Sequence, residues 1–209
     1  VPSALIGLHG GLSASGASLR WRPVLAHWPY YLLLTAYTIG MYMMVIQGPF
    51  LLAAKGIDAP SAIGRYIGLS SLVGALGGVL YGFARRWFGF RQMFVFISLA
   101  IGIGLPLAAW APGGGWIVLA MVVLGLGIGI IEPTVASQLL LLTPEPLHDR
   151  AMGVNVAAMF LGQFLNPLVI APMRDTGGIL FAFIATGIAY LLGAALFLLA
   201  LARRRAPSP

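Results

Sequence analysis

The sequence predicts an all-α, polytopic membrane protein of six transmembrane helices, and three observations predict it. Charge-free runs extend from Pro23 to Ala54, Tyr66 to Ala84, Gln92 to Ile131, Ala151 to Met173 and Thr176 to Ala202 of the 209-residue chain. A hydrocarbon core about 30 Å thick needs about 20 apolar residues as helix, so runs of this length are membrane spans. Hydrophobic residues make up 60% of the chain and charged ones 8%, against about 25% charged in soluble domains. Nine of the twelve basic residues also fall on one set of alternating connections: Arg20, Arg22, Arg85, Arg86, Arg91, Arg150, Arg203, Arg204 and Arg205. Lys55, Arg65 and Arg174 fall on the other. That asymmetry puts both termini in the cytoplasm.

The run from Gln92 to Ile131 is too long for one pass, and Pro112-Gly113-Gly114-Gly115 divides it. The expected spans are 29–52, 64–84, 92–111, 116–142, 151–173 and 178–202. Residues 1–22, rich in Gly, Ser and Ala, read as a flexible cytoplasmic arm or linker, and 204–209 as a cytoplasmic tail. The first residue is valine rather than methionine, and the expectation is a processed chain or one piece of a longer one. The connections are too short for an extramembrane domain, so the chemistry is expected inside the bundle or at its rims. The net charge of +7 is topological and does not point to nucleic acid. Cysteine is absent, which excludes disulfides, thiolate metal sites and cysteine nucleophiles. No H-E-x-x-H and no Ser/His pair at membrane depth occurs; no enzyme, metal site or cofactor is expected.

Glycines recur four apart at Gly64/Gly68, Gly74/Gly78/Gly82 and Gly125/Gly129, a spacing that lets helix backbones approach closely in lipid. Polarity is unevenly shared. At about 100° per residue, Tyr31, Thr35, Thr38 and Tyr42 form one stripe on the first span. On the fifth, Asn155, Gly162 and Asn166 share a face with Gln163 beside them, and on the fourth Gly125, Gly129, Glu132 and Ala136 align. Polar stripes are costly against lipid, so these faces should look inward. The third and sixth spans, nearly without polar residues, are then the expected lipid-facing scaffold.

Glu132 is the sharpest candidate. An ionised carboxylate near the bilayer centre costs roughly 2.5–3.5 kcal/mol, so it must take a proton, pair with a cation or meet water. It reads as a proton-coupling or cation-recognising group, or as a structural acid helped by the carbonyl that Pro133 frees. Thr35, Thr38 and Tyr42, with Gln47 further along the span, are the candidate substrate cavity. Asn155, Gln163 and Asn166 read as interhelical bonds or as the seam against a second half-bundle.

Three stretches carry a resemblance. Gln47-Gly48-Pro49-Phe50-Leu51 closes the first span. Gly78-Val79-Leu80-Tyr81-Gly82-Phe83-Ala84-Arg85-Arg86-Trp87-Phe88-Gly89-Phe90-Arg91 resembles a cytoplasmic G-x-L-x-D-R-x-G-R-R signature. Gly82, Gly89 and Arg91 match it, whereas Arg86 stands at its aspartate and Phe90 at an arginine. Gly162-Gln163-Phe164-Leu165-Asn166-Pro167-Leu168 is the third stretch. Together the chain resembles the C-terminal six-helix half of a major facilitator superfamily transporter, of the efflux type. The resemblance implies a 3+3 inverted repeat in a bacterial inner membrane, and secondary transport of a small molecule by alternating access, with proton-coupled efflux the leading version. It implies as partners the lipid bilayer, a substrate, protons, and an N-terminal half or second membrane protein. The alternative is a non-transporting membrane protein of the same fold, acting as a subunit or assembly factor. The departures in the loop signature, at Arg86 and Phe90, are compatible with that.

Overall fold

The structure, a computed structural model, describes residues 21–203. Most of the expected arm and the whole of the expected tail, with Arg20, Arg204 and Arg205, lie outside the described residues. The described chain is helical: α1 (Arg22–Leu25), α2 (Trp28–Met41), a π-helical turn (Met43–Gln47), α3 (Gly48–Ala54), α4 (Pro60–Ala84), α5 (Phe90–Trp110), α6 (Gly114–Ile128), α7 (Ile131–Leu142), a 3-10 turn (Glu145–Leu147) and α8 (His148–Arg203). Proline opens α1, α2, α3 and α4 within their first turns, where its missing N–H costs nothing. At α5 the Gly89 N–H donates to Gln92 Oε1 at 2.7 Å, one arm of a capping box.

Five stretches are long and apolar enough to cross a membrane: Trp28–Ala54, Pro60–Ala84, Phe90–Trp110, Gly114–Leu142 and Glu145–Leu199. The chain is a multi-pass membrane protein. The fifth stretch holds 55 residues, about 80 Å as a straight helix, far more than a bilayer is thick. It is not straight. Gly178 adopts φ 82°, ψ 168°, a conformation open to glycine because it has no Cβ. The first arm of α8 runs alongside α2 in the same direction, with Ala158 beside Thr35, Asn166 beside Ile39 and Arg174 beside Gln47. The second arm returns antiparallel to α5, with Gly187 against Pro106, Leu191 against Gly102 and Phe197 stacked on Phe94. The expected connection at 174–177 is therefore still helical, and the reversal falls on the glycine beyond it.

The third span departs from expectation. In α5, 67% of the most apolar stretch is buried, against 17% in α4. Leu124 fills the space at Gly104 and Leu191 that at Gly102, while Tyr37 of α2 stacks on Phe94 and donates to its carbonyl at 3.2 Å. α5 is thus the centre post of the bundle rather than its lipid-facing scaffold. The reason is physical: lipid tails are as apolar as leucine, so an apolar span fits a protein interior and lipid equally well.

Glycine sets the α4–α6 contact. A Cβ on Gly125 would stand 2.6 Å from the Ser70 carbonyl, and one on Gly129 would strike the backbone of Gly74. Added Cβ atoms at Gly64, Gly68 and Gly82 would meet nothing, so Gly74, Gly78, Gly125 and Gly129 are the part of the expected ladder used within this chain. Gly129→Ala forces backbone against backbone and is expected to cost about 1–3 kcal/mol. Gly64→Ala should be near neutral. Thermal unfolding midpoints in detergent, lower for the first and unchanged for the second, check this.

Candidate functional site

Pro133 has no N–H to offer the carbonyl of Gly129, so the fourth span cannot run through as one helix. α6 ends at Ile128 and α7 begins at Ile131. Glu132 consequently lies in the first turn of α7, where free N–H groups and the positive end of the helix dipole favour a carboxylate. Half-helix ends of this kind at membrane depth are suited to ion or solute contacts.

The break opens one wall of a cleft of about 360 Å³ lined by Met41, Tyr42, Val45, Ser70, Ser71, Gly74, Ala75, Ile128, Gly129 and Glu132. α2 and its π-helical turn supply the Tyr42 edge, and α4 the Ser70 and Ser71 edge. Both serine hydroxyls donate to the Ile67 carbonyl of their own helix, at 2.8 and 3.2 Å, leaving their oxygens able to accept. A larger groove of about 410 Å³ runs beside Leu80, Met93, Leu99 and Leu126. Its lining is apolar and offers little to orient a solute.

Of the expected cavity residues Tyr42 lines this cleft, together with the expected coupling group Glu132. Thr35 and Thr38 do not open onto it. They are buried where α2 packs on the first arm of α8: Thr35 Oγ1 donates to the Ala158 carbonyl at 2.9 Å and Thr38 Oγ1 to Leu34 at 2.8 Å. A Cβ on Gly162 would collide with Thr35 and Thr38, so their stripe is a helix-packing face.

Gln47 is also buried, 1% exposed, within a chain of bonds rather than a cavity. Arg174 Nη1 donates to Gln47 Oε1 at 3.2 Å, and Gln47 Nε2 donates to Asn166 Oδ1 at 3.3 Å. Asn166 Nδ2 in turn donates to the Ile39 carbonyl at 2.8 Å, and the Arg174 guanidinium lies 4.5 Å over the Phe50 ring. Asn155 and Asn166, expected in interhelical bonds or at a seam, are fully buried inside the bundle. Asn155 Nδ2 donates to Glu132 Oε1 at 2.5 Å, and Gln163 is half-buried.

The loop after α4 is held by its own groups. Arg85 lies 3.8 Å over the Phe90 ring and donates to the Phe88 carbonyl at 2.7 Å. Gly89 carries the α5 cap, Gly82 and Arg86 are exposed, and Arg91 lines a separate recess with Tyr30 and Gln138. At the opposite end, Lys55 donates to the carbonyls of Ala109 and Ala111 at 2.7 and 2.9 Å. These are the orphan carbonyls at the end of α5, and burial there lowers the Lys55 ammonium from its usual range.

Sequence reasoning missed Ser70 and Ser71, although a serine pair one turn before Gly74 in an otherwise apolar helix was a readable signal. It also missed the Tyr190 hydroxyl, which accepts from the Gly40 N–H at 3.0 Å and donates to the Ala36 carbonyl. An α-helix would join that N–H and that carbonyl directly, so the hydroxyl is inserted into the α2 ladder.

A profile described as Major Facilitator Superfamily matches residues 33–209. No curated protein matches the chain. Among solved structures, an in meso crystal structure of the POT family transporter PepTSo is similar, with a TM-score of 0.64 and 22% identity. The match covers 90% of this chain and 39% of that one, so the chain spans about two-fifths of that protein's length. At this identity the likeness shows the fold alone. With the family profile running over most of the described helices and the fold in agreement, the chain belongs to the Major Facilitator Superfamily.

Proposed function

We propose that the chain is a six-pass half of a secondary transporter, the two arms of α8 being the fifth and sixth passes and Glu132 the proton-coupling or cation-recognising group. The observation that carries this reading is a carboxyl held in a polar cleft at a mid-span helix break, among Tyr42, Ser70 and Ser71. An acid at that depth costs several kcal/mol unless it is protonated, paired or wetted. Among the described residues the only ion pair is Arg174–Asp175, so no resident cation within salt-bridge distance neutralises Glu132. Beside the one bond from Asn155 Nδ2, a proton, water or a passing solute is left to do so, which is what a coupling group needs.

Alternating access requires a second six-pass half against the cleft, either an N-terminal segment or a second membrane protein. The exposed side of α4 and the first arm of α8 are where that half would sit. The 3+3 inverted repeat, cytoplasmic termini and an inner-membrane location complete the reading, supported by the family and by the asymmetry of basic residues. Proton-coupled efflux of a moderately hydrophobic compound suits a cleft with a carboxyl, a phenol and apolar walls. The second reading, a non-transporting subunit of the same fold, has one observation in its favour: Arg85 is engaged within its own loop.

In proteoliposomes holding the complete transporter, an imposed pH gradient should drive movement of a lipophilic cationic dye. Glu132→Gln should reduce that flux to the level of protein-free vesicles while expression stays near normal. Unchanged flux in the variant removes Glu132 from the mechanism, and absent flux in the unaltered protein favours the subunit reading.

A further inference from the structure

Two side chains joined by one hydrogen bond each keep one oxygen unpaired. Asn155 Nδ2 donates to Glu132 Oε1 at 2.5 Å. Glu132 Oε2 and Asn155 Oδ1 are both buried and have no hydrogen-bond partner, and Asn155 is 0% exposed. An ionised carboxylate and an amide oxygen only accept, whereas a neutral acid carries one O–H donor. Buried acceptors without donors are costly, and the large majority in folded proteins are satisfied. One added proton accounts for both of these at once.

We infer that Glu132 and Asn155 form an acid–amide pair whose second bond is made by the coupling proton, which makes Asn155 the positioning residue for proton binding. With the proton on Oε2, the acid donates to Asn155 Oδ1 while Oε1 still accepts from Nδ2. Release breaks the Oε2–H bond and passes the proton to water in the cleft. The ionised pair is then short of one donor. Once Oε2 turns from its buried position toward the cleft, a cationic or N–H-bearing solute beside Tyr42 and Ser71 supplies it. The substrate class is accordingly a cation or strong hydrogen-bond donor.

The surroundings leave this role to Asn155. α2 contributes the Tyr42 phenol, α4 the Ser70 and Ser71 hydroxyls, and α6 has no ionisable residue. The nearest cation along α8 is Arg150, whose guanidinium lies 5.7 Å over the Trp21 ring.

This inference rests on Glu132 as the coupling group, and infrared difference spectroscopy separates the two. Spectra of the complete transporter in neutral phospholipid vesicles, taken between alkaline and acid pH, should gain a carboxylic acid carbonyl band. Glu132→Gln should remove the band, and Asn155→Leu should shift it to higher frequency as the amide bond to the acid is lost. In the unaltered protein carrying isotope-labelled asparagine, a side-chain amide band should change in the same pH step, which decides the matter should Asn155→Leu fail to fold. A Glu132 band indifferent to Asn155, with no change in the labelled amide, overturns the pair even where pH-driven flux is intact. A band that responds to Asn155 in a protein without flux keeps the pair and overturns the transport reading instead.

Discussion

Hydrocarbon offers no hydrogen-bond partner, and every feature of this bundle follows from that. A polar group inside the membrane must be satisfied by another part of the chain or by water in a cleft. Where the helices are regular they satisfy themselves. Where they are interrupted, a side chain steps in: the Tyr190 hydroxyl between Gly40 and Ala36, Lys55 on the last carbonyls of α5, Asn166 on the Ile39 carbonyl. The α6–α7 break is open to a cleft, and Glu132 stands in it.

The same constraint localises the weak points of the fold. Between Ala36 and Pro49 the first span contains an inserted hydroxyl, a π-helical turn and a proline. π-Turns inside helices cluster at functional sites, and this one carries the Tyr42 wall of the cleft. Its far end is tied by Gln47 to Asn166 and Arg174 on the first arm of α8. Span one is therefore segmented where it borders the cleft and fastened to a second helix just beyond it.

The all-helical, membrane-spanning character of the chain was legible in the sequence because length and charge decide it. Glu132 stood out in the sequence because a lone acid in an apolar span has no cheap explanation. Thr35, Thr38 and Gln47 were misread because a polar stripe says only that a face looks inward. Whether it meets water or another helix depends on the small residue opposite, here Gly162, which lies far away in sequence. Of the two readings of Asn155 and Asn166, the interhelical bond is the one both make, to Glu132 and to the Ile39 carbonyl. The burial of α5 was hidden because lipid and protein interior make the same demand on a side chain. The turn at Gly178 was nearly legible, since the charges at Arg174 and Asp175 interrupt the long apolar stretch a few residues before it.

The central claim is that water reaches Glu132's cleft while the outer faces of α8 meet lipid. The chain contains no cysteine, so single cysteines report on their own surroundings. In the complete transporter in native membranes, a membrane-impermeant thiol reagent should label Ser71→Cys and Tyr42→Cys but not Leu192→Cys or Leu196→Cys, which lie on the exposed outer face of α8. Labelling at Leu192→Cys and Leu196→Cys with none at Ser71→Cys and Tyr42→Cys would contradict the account.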